Sequence, residues 1–107
     1  MKLAIIISNK DPERNWNVFR LANFAISQGD EVKIFLIGAG VEYEKDSSEK
    51  FNLKTELEKF LAHPKAQILA CGTCLKLRNQ KESKTCPINA LEDLYKIIKE
   101  SDKILTF

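Results

Sequence analysis

The sequence predicts an α/β sandwich built around a mostly parallel sheet of at least four strands. Three observations carry this expectation. Short β-branched apolar runs alternate with segments whose apolar residues recur at helical spacing. A chain of 107 residues fits one domain, residues 1–107, and leaves no room for two cores. With 44% apolar and 30% charged residues, four Gly and three Pro, the composition is that of a folded chain and not of a low-complexity one.

Leu3-Ala4-Ile5-Ile6-Ile7 is continuous and β-branched, as suits a strand covered on both faces. Asp11-Pro12-Glu13 reads as a helix start: Asp caps, Pro fits the first turn, and Glu favours the positive end of the dipole. Trp16, Phe19, Ala22, Phe24 and Ile26 supply that helix with an apolar face, and Gly29 stands where a helix commonly ends in left-handed backbone. Val32 to Ile37 is a second strand, which makes the opening a parallel β-α-β unit. Gly38-Ala39-Gly40 closes it as a tight turn. Glu42 to Lys50 is the most polar stretch and reads as a solvated loop without chemistry. Leu53, Leu57, Phe60 and Leu61 mark a second helix that His63-Pro64 ends. Ala66 to Ala70 is a third strand, followed at once by Cys71-Gly72-Thr73-Cys74 and a short helix at Leu75 to Arg78. A polar loop from Asn79 to Thr85 leads to Cys86-Pro87. Asn89 is placed to cap a last helix carrying Leu91, Leu94, Tyr95, Ile97 and Ile98, before a final strand from Lys103 to Phe107.

The charge balance, 17 Lys+Arg against 15 Asp+Glu, is that of a mixed surface and argues against a nucleic-acid partner. Leu3 to Ile7 is the longest apolar run, far short of a membrane span or an export-signal core, so no membrane association and a cytoplasmic location are expected. In a reducing compartment three cysteines point to chemistry or a metal before structural disulfides. A zinc site is disfavoured: Cys71, Cys74 and Cys86 lack the second ligand pair, and His63 is better read as a helix terminator. No dinucleotide fingerprint or phosphate-binding loop is present, and no cofactor is expected.

Ligands of open α/β sheets collect beyond the carboxyl ends of the strands, which is where Ser8-Asn9-Lys10-Asp11, Gly38-Ala39-Gly40 and Cys71-Gly72-Thr73-Cys74 arrive. Cys71 sits where a buried strand gives way to a helix start, and unpaired amides there favour a thiolate. Lys10, Lys76 and Arg78 are the candidate cations, and Gly72 leaves the neighbouring backbone uncrowded. Cys74 completes a Cys-x-x-Cys that reads as a redox pair or as two unrelated residues, and Cys86 is a candidate resolving thiol or merely the residue before a turn proline. An inert, buried Cys71 is the bland alternative. A Cys/His triad has no support.

The block Ala70-Cys71-Gly72-Thr73-Cys74-Leu75-Lys76-Leu77-Arg78-Asn79, with the opening Leu3 to Ser8, the Trp16 to Ala25 helix and the Ser101 to Phe107 finish, resembles the DsrE/DsrF-like family in its CGTC variant. The resemblance implies a three-layer α/β/α sandwich with four to five strands, flavodoxin-like in general architecture, that assembles into trimers or hexamers. It implies a small sulfur-relay protein in which Cys71 carries sulfane sulfur as a persulfide between donor and acceptor proteins. Cys74 belongs to the same motif, and Gly72, Thr73, Lys10 and Arg78 would stabilise the anion. Asn79 stands where the family usually has glycine, and both residues tolerate left-handed backbone. The alternatives are a thiol-disulfide protein using Cys71 and Cys74, or Cys74 and Cys86, and a non-catalytic oligomeric binding module.

Overall fold

The computed structural model describes residues 1–107 as β1 (Lys2–Ile7), α1 (Pro12–Ser27), β2 (Glu31–Leu36), a 3-10 helix (Gly38–Glu42), α2 (Leu53–Leu61), β3 (Ala66–Cys71), α3 (Gly72–Leu77), β4 (Ile88–Asn89), α4 (Leu91–Glu100) and β5 (Lys103–Thr106). The strands form one sheet in the order β4-β3-β2-β1-β5, parallel at every pairing. The chain thus starts in the sheet, steps outward through β2 and β3 to β4, then returns to the far side of β1. Crossovers of one hand put α1 and α2 on one face while the chain steps outward, and put α4 on the other face once it reverses.

Local signals account for the element ends. The Asp11 carboxylate accepts the Arg14 N–H at 2.7 Å, with Pro12 in the first turn of α1. Gly29 ends that helix at φ +92°, and Asn79 follows α3 at φ +51°. Gly40 is required by a close approach: a Cβ there would lie 2.0 Å from the Ile7 carbonyl oxygen.

The two faces of the sheet are covered unequally. Leu3, Ile5 and Ile7 of β1, with Val32, Ile34 and Leu36 of β2, pack against Val18, Phe19 and Ala22 of α1 and Leu53, Leu57 and Phe60 of α2. Phe19 meets the Phe60 ring edge-on at 5.5 Å and stacks on Tyr43 at 5.7 Å. The opposite face holds a smaller cluster of Ala4, Phe35, Leu69, Cys71 and Ile97. Of α4, only Ile97 is buried, and Leu91 (60%) and Tyr95 (64%) stand in solvent.

Four details depart from the sequence reading. β4 is a two-residue strand, paired through Ala70↔Ile88 and Cys71↔Asn89. Ala90, not Asn89, begins α4, its N–H donating to the Asp93 carboxylate at 2.9 Å, while the Asn89 side-chain oxygen accepts the Ala70 N–H at 3.3 Å. α3 starts at Gly72 and therefore contains most of the cysteine motif. The polar stretch after Val41 is not wholly solvated: Tyr43 is buried and its hydroxyl donates to the Thr85 carbonyl at 2.6 Å. No helix is long and apolar enough to cross a membrane.

Candidate functional site

The carboxyl ends of β1, β2 and β3 lie on one edge of the parallel sheet, and the cysteine motif leaves from it. Cys71 is the last residue of β3 and the N-cap of α3, held at φ −70°, ψ 113° in extended backbone. It is 5% exposed. That is less open than the thiol the sequence suggests, because β3, flanked by β4, delivers its side chain onto the sheet face where Ile97 of α4 packs. An open cleft of about 400 Å³ still reaches it, lined among others by Thr73, Lys76, Ile88, Leu91 and Glu92. Gly72 is not uncrowded: a Cβ there would approach Ile88 Cγ2 to 3.0 Å and the Asn89 carbonyl oxygen to 3.2 Å, so β4 fits closely only against glycine.

Cys74 is half-buried and couples the elements around it. The Gly38 N–H donates to its Sγ at 3.2 Å. Burial pushes the Cys74 thiol up, and the neighbouring Cys71 sulfur pushes it further by hydrogen bond and charge. The Gly38 amide and the Arg78 guanidinium act in the opposite direction. Cys71, the N-cap, and Cys74, three residues on, share the first turn of α3, and Cys74 packs against the small cluster that contains Cys71.

The cations are arranged otherwise than the sequence suggests. Lys10 Nζ lies 3.6 Å and Arg78 Nε 3.3 Å from the Glu42 carboxylate, and Lys45 Nζ joins it at 3.4 Å. Arg78 Nη1 also donates to the Cys74 carbonyl at 3.2 Å. Arg78 thus reaches the motif through α3 and through the field at Cys74, whereas Lys10 is held by Glu42. Burial by itself would raise the Glu42 carboxyl, but Lys45 and Lys10 outweigh it and hold the group below its ordinary value. Glu42 falls in the stretch read from sequence as a solvated loop without chemistry. Sequence reasoning misses Glu42, and it reads Gly38 at this edge only as part of a tight turn and not as an amide donor to Cys74. The alternation of Glu42-Tyr43-Glu44, an aromatic inside a charge run, is the one signal that this stretch is anchored.

Cys86 lies among the core residues of the α1/α2 face. Its thiol donates to the Val41 carbonyl at 3.6 Å, and the Gln80 amide donates to it at 3.8 Å. Burial and then Glu44 push its pKa up to about 11. Neither contact involves Cys71 or Cys74. His63 Nδ1 accepts the Lys65 N–H at 3.1 Å beyond the end of α2.

The sequence profile of the DsrE/DsrF-like family matches residues 1–107. The chain belongs to this family. Two archaeal proteins are similar to the DsrE-like chain over nearly all of it, both named as uncharacterised. MJ0989 of Methanocaldococcus jannaschii is 35% identical over 115 aligned residues, covering 100% of both chains. MK0008 of Methanopyrus kandleri is 33% identical over 112, covering 98% of this chain and 93% of that one. The crystal structure of the ychN protein from E. coli matches the fold at a TM-score of 0.80 with 25% identity, covering 100% of both chains. Membership of the DsrE-like family supports a sulfur-relay-type role in general terms, and with it interaction with other sulfur-relay proteins.

Proposed function

We propose that this chain carries sulfane sulfur as a persulfide on Cys71 and hands it to a protein partner. The observation that supports this reading is the placement of Cys71: a thiol at the carboxyl edge of a parallel sheet, one side packed on the core and the other reached by a cleft. The Cys71 thiolate attacks the outer sulfur of a donor persulfide, and the donor leaves as a thiolate. The outer sulfur later passes to an acceptor thiolate, which regenerates Cys71. Lys76 stands on the cleft and balances the persulfide anion, and Thr73 and Gly72 form the rim beside it. Arg78 holds the first turn of α3 through the Cys74 carbonyl, and Lys10 steadies Arg78 by sharing Glu42. Cys86 serves the core and takes no sulfur.

The exposed Ile88 and Leu91 at the cleft give a donor or acceptor protein an apolar rim to dock on. The unpartnered side of α4 and the exposed Ile104 and Leu105 of β5 support self-association; the trimer or hexamer comes from the family resemblance, and the cytoplasmic location from the short apolar run of the sequence. Loading is tested by brief exposure to a persulfide donor, rapid alkylation and intact mass. The chain gains one sulfur atom and Cys71→Ser gains none. Equal loading of Cys71→Ser defeats the assignment.

A further inference from the structure

The two cysteines that share the first turn of α3 sit in unlike surroundings. Cys71 borders the cleft, so an added outer sulfur extends into that open space. Cys74 is absent from the cleft wall, packs with Cys71 against the same small cluster from the α3 side, and is fixed there by the Gly38 N–H at 3.2 Å. The atom of a Cys71 persulfide nearest to Cys74 is then the inner sulfur. We propose that Cys74 discharges the Cys71 persulfide as hydrosulfide, closing a Cys71–Cys74 disulfide, whenever no acceptor takes the outer sulfur. This step rests on Cys71 being the carrier.

The chemistry balances without an outside oxidant. Cys74 attacks the inner sulfur, and a bond forms between the two cysteine sulfurs. The bond from the inner to the outer sulfur breaks, and the outer sulfur leaves with that electron pair. The proton of Cys74 goes out with it as hydrogen sulfide or to solvent. The sulfane sulfur is reduced to sulfide, and the two cysteines are oxidised to a disulfide. Hydrosulfide is a better leaving group than an alkyl thiolate, which favours this direction over return of the sulfur. A dithiol reductant resets the pair.

The resting contacts restrain Cys74 until the carrier is loaded. Burial and the adjacent Cys71 sulfur keep the Cys74 proton in place. In the loaded carrier the persulfide charge sits on the outer sulfur, toward the cleft, while the Gly38 amide and Arg78 remain to stabilise a Cys74 thiolate. Cys86, hydrogen-bonded to Val41 in the core, has no part in the exchange.

The test loads the full chain with inorganic polysulfide under anaerobic conditions, removes excess donor, and follows released sulfide and intact mass without added thiol. The wild-type chain gains one sulfur, then releases stoichiometric sulfide and becomes two hydrogens lighter than the reduced protein. Cys74→Ser and Cys74→Ala hold the extra sulfur and release at least about tenfold less sulfide, and Cys86→Ala behaves as wild type. A wild-type chain that keeps its persulfide as long as Cys74→Ser does overturns the discharge step and leaves the carrier assignment standing. Failure of Cys71 to load in any of these chains overturns both.

Discussion

A negative charge meets different surroundings at each cysteine. Cys86 is buried in the core, and Glu44 adds a repulsion against a thiolate, so it stays protonated up to about 11. Between the ordinary thiol value of about 8.5 and that point the unfolded chain gives up the proton and the folded chain keeps it. Cys86 therefore subtracts stability as pH rises through this window, and urea midpoints of wild type fall there more steeply than those of Cys86→Ala. Native alkylation with iodoacetamide at mildly alkaline pH modifies Cys86 last of the three, and a Cys86 that reacts first contradicts its place in the core. Glu42 works with the opposite sign. Its folded pKa is depressed, so the pairing with Lys10, Lys45 and Arg78 is present above the unfolded carboxyl value of about 4.3 and is lost as pH falls through the folded one. Glu42→Gln flattens the acid side of the stability profile, measured by urea melts at several pH values. Cys71 is legible in the sequence because a strand end followed by Cys-Gly-Thr-Cys is a local pattern. The Glu42–Arg78 pair and the Gly38 amide are not, since one needs two distant segments brought together and the other is a backbone group available at every residue.

Elements meet at the carboxyl edge through contacts that leave no room for larger residues. Gly40→Ala drives a Cβ into the Ile7 carbonyl, and the backbone at the end of β1 must shift. Overpacking of this kind costs about 1–3 kcal/mol, and this contact belongs at the upper end, read as a lower urea midpoint with unchanged slope. Asp11→Ala removes the α1 cap and costs about 1 kcal/mol by the same measurement. The long elements were readable from periodicity and caps: β1, α1, β2, α2 and β3 fall where those signals put them. β4 was not readable, because two residues after Pro87 have no period, and only the pairing with Ala70 and Cys71 makes them a strand. The start of α3 escaped for a related reason, since its first turn is the cysteine motif itself and carries no apolar stripe.

On the scale of the whole molecule, one face of the sheet carries two helices and the other a single helix that buries only Ile97. Beyond the cleft, Tyr95 and Ile98 form an apolar stripe on α4 that its own chain does not cover. Its acidic start, Glu92 and Asp93, and basic later turns, Lys96 and Lys99, complement each other when two copies lie antiparallel. Tyr95→Asp with Ile98→Glu removes two side chains worth about 3 kcal/mol or more together if buried between copies, a loss of at least about a hundredfold in association. Sedimentation velocity then shifts to the single chain, and an unchanged distribution contradicts burial of that stripe. The apolar pattern of α4 was visible in the sequence, but not that most of it would be left uncovered, because that depends on how many elements the reversed chain returns to this face.

The most direct check on the account is the location of the transferred sulfur. The Cys74→Ser chain is exposed to a persulfide donor, alkylated, digested and read by tandem mass spectrometry. The added sulfur is found on the peptide containing Cys71 and on no other. An added sulfur on Cys86, or none on Cys71 while the donor loads a control thiol, contradicts it.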